Sequence, residues 1–281
     1  MTMLRSTLPY FLSAAGFLSA LGSVQAGPIL TEDFANDLLR DPEAFSGGST
    51  VNFWTNNGSE SGGQYSVTVA NTSGFTGSNK NTTSLSDAWE FFTQEITLSA
   101  RGISFTDTSV NGKTLPLTNT QAFFGFGSSG NTAWAAPDGI SLQIKGDGAT
   151  FLRLSSDQPN TWGTTAASEP AVAGLDGFDL TLGPGTTGVD YTLTLFNDGP
   201  EIVKTGNFAI ELADWDSAVS NTSRLSIQVQ EAFSPDIDAD QQFTFTLDSV
   251  HITATVPEPL SGLLLASGLG ALFVLRRKTA R

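Results

Sequence analysis

The 281-residue chain has no cysteine and a single histidine, His251. The first absence excludes a disulfide framework, thiolate zinc sites and cysteine nucleophiles, so stability has to come from packing. The second leaves the sequence one imidazole, and a nucleophilic triad needs that imidazole held by an oriented partner, which the sequence does not supply. Cations are scarce as well, with 13 Lys and Arg against 28 Asp and Glu. Between residues 27 and 255 the imbalance is eight against 27, a net charge of −19 for that segment. Such a surface repels nucleic acid and anionic lipid and favours solubility, and it suits calcium or neutral sugars. Amphipathic helical periodicity is also weak: only Asp33–Arg40 and Ser84–Phe92 have room for a helical turn or two.

What is present between residues 27 and 255 is a β composition, with Gly, Ser, Thr and Asn alternating with Phe, Val, Ile and Leu. Ten strand-like runs are readable: 64–70, 95–105, 121–126, 139–145, 149–154, 178–182, 190–196, 201–212, 224–231 and 241–256. Two turns join successive runs. Gly146-Asp147-Gly148 predicts a hairpin with a glycine at positive φ, and Asn197-Asp198-Gly199-Pro200 predicts a second of the same kind. In 224–231, Leu225, Ile227 and Val229 share one face and Ser226, Gln228 and Gln230 the other, which predicts a half-buried strand. In the last run the apolar phase shifts from odd (Phe243, Phe245, Leu247) to even (Val250, Ile252, Ala254), which predicts a bulge or break near Asp248-Ser249. Segments 46–63 and 71–86 are polar and read as long surface loops. Ten strands in 229 residues predict one all-β domain, a jelly-roll sandwich rather than the smaller immunoglobulin-like form.

The two ends read as addresses rather than fold. Residues 1–26 carry Arg5, an apolar run from Leu8 to Leu21 and a small-x-small ending, Val24-Gln25-Ala26, the layout of a secretory signal peptide. Residues 256–281 begin Val256-Pro257-Glu258-Pro259, where prolines stop strand pairing. Leu260–Leu275 follows, uncharged and about 24 Å long as a helix, a short membrane-spanning segment by length. Arg276, Arg277 and Lys278 then hold that end in the cytoplasm.

The tail resembles the PEP-CTERM sorting signal of exported bacterial proteins, through Pro257-Glu258-Pro259, the glycine-bearing apolar segment and the basic cluster Arg276-Arg277-Lys278. The resemblance covers about 26 residues. It implies an exosortase-type processing protease as partner, export across the inner membrane, transient anchoring there, and a final place on the cell surface or in an exopolysaccharide matrix.

Within the segment 27–255, Ala136-Pro137-Asp138-Gly139-Ile140 weakly resembles the Ala-Asp-Gly strand start of concanavalin-like legume lectins. That resemblance implies sugar hydroxyls accepted by Asp138 beside Gly139, with Trp134 near. Trp54, Trp134, Trp162 and Trp215 offer stacking faces or fill a core. Asp236-Ile-Asp238-Ala-Asp240 alternates carboxylates as calcium loops do. It lacks the glycine and distal glutamate of an EF-hand, and an acidic turn after Pro235 fits the same residues. The laminarinase-type jelly-roll hydrolases carry Glu-x-Asp-x-x-Glu on one strand, and no Glu-x-Asp occurs here. In Glu211-Leu-Ala-Asp214-Trp-Asp216, strand parity turns Glu211 away from Asp214 and Asp216. The expected function is therefore a non-catalytic surface or matrix protein in contact with exopolysaccharide. A secreted carbohydrate-active enzyme is the alternative.

Overall fold

The computed structural model describes residues 26–35, 58–70, 78–85, 94–127, 140–154, 164–209, 223–231 and 240–255. They lie in one compact unit, Ala26–Thr255. The expectations for the leader and for the sorting tail lie outside the described residues, save Ala26, which opens the first strand opposite Thr255.

Three antiparallel sheets share one core. The first runs in the order β1 (Ala26–Glu32), β16 (Ser249–Thr255), β5 (Ile96–Arg101), β11 (Gly177–Pro184), β12 (Val189–Phe196), β13 (Ile202–Phe208). The second runs β10 (Thr164–Glu169), β9 (Thr150–Leu154), β8 (Ile140–Lys145), β7 (Thr120–Gly127), β14 (Ser223–Glu231), β4 (Ser78–Leu85). A third, four-stranded sheet runs β2 (Gly58–Glu60), β3 (Tyr65–Ala70), β15 (Gln242–Leu247), β6 (Ser104–Asp107). Alternate residues of each strand turn inward, which is why the β period of 2 was readable. Phe124 of the second sheet meets Phe178 of the first at 5.0 Å between ring centroids and Phe245 of the third at 6.4 Å. One fully buried aromatic thus touches all three layers.

The flank where β10 and β13 lie together is closed by side chains. Lys204 pairs with Glu169, and the Tyr191 hydroxyl donates to the Ala166 carbonyl at 3.1 Å. Burial pushes the Tyr191 pKa up, which keeps the phenol protonated as a donor.

The predicted break in the last strand is a change of sheet. β15 belongs to the third sheet and β16 to the first, with Asp248 between them. Its neighbour bends at the same level, so the predicted run 95–105 divides into β5 and β6 around Gly102-Ile103. β5 pairs with β16 and β6 with β15, so two adjacent strands turn the corner together. Gly102 makes the turn at φ +68°, and the Asp248 N–H donates to the Arg101 carbonyl at 2.9 Å.

Other expectations need correction. The segments read as surface loops contain β2, paired with β3, and β4, paired with β14. Edge strands take their order from backbone hydrogen bonds, so a polar sequence such as Ser-Asn-Lys-Asn-Thr-Thr carries no alternation to reveal one. β1 and β10 were missed for the same reason. At the start of the expected turn Asp33–Arg40, Phe34 has φ +53° and Asp33 accepts the Ala35 N–H at 3.1 Å in a side-chain turn, while residues 36–40 lie outside the described residues. Ser84 and Leu85 belong to β4, and residues 86–92 of the second expected turn lie outside the described residues. The 146–148 hairpin has its left-handed glycine at Gly148, φ +84°. The 197–200 turn instead closes through the Asn197 side chain, which accepts the Gly199 N–H, and Gly199 is not at positive φ.

Candidate functional site

Strand parity turns Ala122, Phe124, Leu142, Ile144, Leu152, Ile227 and Val229 of the second sheet into the core. The intervening residues form its outer face, where register aligns them in rows across the strands. One row reads Ser168, Phe151, Gln143, Phe123, Gln228, Lys80, from β10 to β4. On one side lies Thr165, Arg153, Ser141, Gly125, Ser226, Thr82. On the other lies Lys145, Gln121, Gln230, Ser78. Amides, aromatics, hydroxyls and cations make up these rows, and no Asp or Glu stands among them.

The middle of this face is buried, which corrects the half-buried reading of β14. Gln228 is 2% exposed, Gln143 3% and Phe123 fully buried, although all three point away from the core. The Gln143 amide donates to Gln121 Oε1 at 2.6 Å, and the Gln228 amide donates to Gln230 Oε1 at 2.6 Å. The Oε1 atoms of Gln143 and Gln228 are buried and accept no hydrogen bond from the protein. They flank Phe123 on either side. A buried carbonyl left so costs about 1–3 kcal/mol, which a buried water relieves.

The β8–β9 side of the face is more open. Phe151 is half-buried, with Arg153 Cζ 5.1 Å and Lys145 Nζ 5.9 Å from its ring centroid. Burial lowers the Arg153 pKa from its ordinary value, yet a guanidinium remains charged at neutral pH. Beyond Lys145 a cavity of about 350 Å³ opens between β6, the β8–β9 turn and residues 172–175. Phe105, Val172 and Leu175 line it with Lys145 and Asp147. Asp147 is occupied with the Ala149 N–H at 3.0 Å. Glycine is needed at the turn because a Cβ at Gly148 would stand 2.1 Å from the Val172 carbonyl oxygen.

Of the residues singled out in the sequence, Asp138, Gly139 and Trp134 lie outside the described residues, as do the other three tryptophans named with Trp134. The strand that Gly139 was expected to open does exist, from Ile140. Asp236 and Asp238 also lie outside them. Asp240 is described, and its carbonyl accepts the Val110 N–H at 3.0 Å. Among the described residues no group of three or more metal-binding side chains forms. His251 stands opposite Thr31 and Ser99 on the outer face of the first sheet, half-buried and off the core. Among the described residues no helix is long and apolar enough to cross a membrane.

Sequence reading missed Gln121, Gln143, Phe151, Lys145 and Arg153 as a group. Their alternation with core residues was visible strand by strand. Which strands stand side by side was not.

No protein-family model matches the chain, and no curated protein matches it. Solved structures do. An endo-1,3-β-glucanase from Streptomyces sioyaensis superposes with a TM-score of 0.51 at 13% identity, covering 83% of this chain and 97% of that one. A structure from work on endo-acting O-glycanases of the human gut microbiota gives 0.50 at 9% identity, covering 82% and 100%. Winged bean acidic lectin, in complex with methyl-α-D-galactose, gives 0.49 at 8%, covering 83% and 100%. At these identities the likeness to the first two establishes the fold alone, an all-β jelly-roll sandwich.

Proposed function

We propose that this chain is an exported bacterial surface or matrix protein, sorted by its PEP-CTERM-like tail, whose jelly-roll domain binds polysaccharide without cleaving it. The observation that carries the binding reading is the outer face of the second sheet. There half-buried Phe151 has the Arg153 and Lys145 cations against its ring, with Gln121 and Gln143 beside it on the same face. Sugar sites use this combination, an aromatic for the C–H face of the ring and fixed polar groups for its hydroxyls.

The same rows support a non-catalytic role. Glycoside hydrolysis places two carboxylates across one bond, one of them with a raised pKa. The outward positions of β7 to β10 and β14 carry Gln, Ser, Thr, Lys and Arg where such carboxylates would stand. The carboxylate with a lowered pKa, Asp107, lies elsewhere, on β6.

A polysaccharide array read together with a reducing-end release assay tests the proposal. Binding without release is expected. Release of reducing ends from any bound glycan would replace it with the enzyme alternative. Silence in both would remove the glycan from the reading and leave a structural role.

A further inference from the structure

The chain's few cations are not spread evenly. Eight Lys and Arg lie between residues 27 and 255. Two of them, Lys145 and Arg153, are described at outward positions of the second sheet. No Asp or Glu stands at an outward position of β4, β7, β8, β9, β10 or β14, in a chain that carries 28 of them. On the first sheet the outward positions do include carboxylates, Asp179 and Asp190, and the Arg101 there is paired with Asp179 at 2.8 Å. Among the described residues, the outward positions of the two sheets therefore differ in charge.

Solubility does not explain this arrangement. An acidic protein stays soluble with its rare cations anywhere, and cations near carboxylates are the electrostatically cheaper choice. Concentrating them on one face leaves a local positive potential inside a molecule of net charge −15. Both stand by one aromatic ring, Arg153 at 5.1 Å and Lys145 at 5.9 Å from the Phe151 centroid. Arg153 has further contacts of its own, so Lys145, at the end of β8 and half-buried, is the cation best placed to meet a ligand. Arg153 Cζ and Lys145 Nζ are no more than about 11 Å apart across the Phe151 ring. Two cations held about one ring suit a polymer with recurring charge better than a single neutral sugar.

We infer that the outer face of the second sheet binds an acidic polysaccharide, one bearing uronate carboxylates, with Lys145 and Arg153 meeting the charges and Phe151 the ring between them. This inference rests on the polysaccharide-binding reading and narrows it. It runs against bulk electrostatics, because a chain of this charge repels polyanions unless a face is built to take them.

The test uses the purified full chain and four immobilised probes: polygalacturonate and alginate as uronate polymers, dextran and laminarin as neutral ones. The uronate polymers are expected to bind at least about tenfold more tightly, the scale of one charge-assisted contact. Raising salt from about 0.05 M to about 0.5 M is expected to weaken that binding as charges are screened. Lys145→Glu and Lys145→Ala should each lose about tenfold or more, and Lys145→Arg should retain binding, with thermal melting confirming that all three fold. Equal or tighter binding to the neutral polymers would overturn the inference and leave the polysaccharide reading standing. Absence of binding to all four would overturn both. Loss of binding in Lys145→Arg equal to that in Lys145→Glu would show that charge is not what position 145 supplies, and would also overturn the inference.

Discussion

Replacing Gly102 with alanine tests the corner on which the three-sheet arrangement turns. Gly102 has φ +68°, a region where an L residue pays about 1–2 kcal/mol. Its Cβ would also stand 2.0 Å from Asp248 Cγ and 2.5 Å from Asp248 Cβ. Asp248 is not free to retreat. Its N–H donates to the Arg101 carbonyl at 2.9 Å, and its Oδ1 accepts from Gln64 at 2.7 Å. Overpacking of this kind costs about 1–3 kcal/mol, so Gly102→Ala should lose about 2–5 kcal/mol in all. Asp248→Gly alone should cost about 1–2 kcal/mol, from the lost Gln64 hydrogen bond and added chain freedom. It also clears the space that the new Cβ requires. The double variant should therefore cost less than the sum of the two singles, by about 1–3 kcal/mol, the overpacking share. Urea unfolding at 25 °C measures each free energy, with an unchanged slope confirming one cooperative transition. A Gly102→Ala cost below about 0.5 kcal/mol, or a strictly additive double variant, would refute the assignment of the corner to a left-handed glycine packed on Asp248.

Other outcomes follow from particular contacts. Phe124→Ala should cost about 3–5 kcal/mol by urea unfolding, because Phe124 is fully buried and touches aromatics of both other sheets. Asp107 has its pKa lowered, first by the Ser109 hydroxyl and then by the Ser109 N–H; burial opposes them, and the Leu115 N–H at 3.0 Å adds the smallest lowering effect. A lowered folded-state pKa gives stability that is present above the ordinary carboxylate value and lost as pH falls through the folded value. Asp107→Asn should therefore be about 1 kcal/mol less stable than the parent near neutral pH. The gap should narrow as pH falls below about 4, and a gap that widens in acid would contradict the assignment. Replacing Pro257, Glu258 and Pro259 together should abolish processing and surface display of the exported chain, read by immunoblot of cell fractions. Unchanged processing and unchanged display would defeat the sorting assignment.

The parts of the fold that were legible in the sequence are those in which one side of a strand is apolar. Phe243, Phe245 and Leu247 followed by Val250, Ile252 and Ala254 announced the break at Asp248 before any coordinates. The companion break carried the same signature, with Ile96, Leu98 and Ala100 followed by Ile103 and Phe105. Gly102 and Ile103 keep that run continuously strand-like, which conceals the shift. β4 and β10 were illegible for a physical reason. An edge strand is ordered by the backbone of its neighbour, so Thr-Thr-Ala-Ala-Ser-Glu needs no apolar stripe to pair with β9. The turn at 197–200 shows a further limit. Asn-Asp-Gly-Pro admits more than one closure, and the Asn197 side chain, rather than a left-handed glycine, closes it.

The candidate site was hidden differently. Each row on the second sheet draws one residue from each of several strands, and Phe123 and Gln228, side by side in one row, lie 105 positions apart in sequence. Pairing order brings them onto one face, and pairing order follows from how the apolar sides of all sixteen strands close together. A segment charge of −19 therefore described the average surface correctly and its second sheet wrongly. Average charge predicts what the molecule avoids at a distance beyond about 10 Å, whereas the sign of one face decides what it holds in contact. An acidic exported protein can in this way stay dispersed among polyanions and still grip one of them, provided its cations are gathered where its carboxylates are not. On the second sheet, Lys145 and Arg153 beside Phe151 are the described cations so placed.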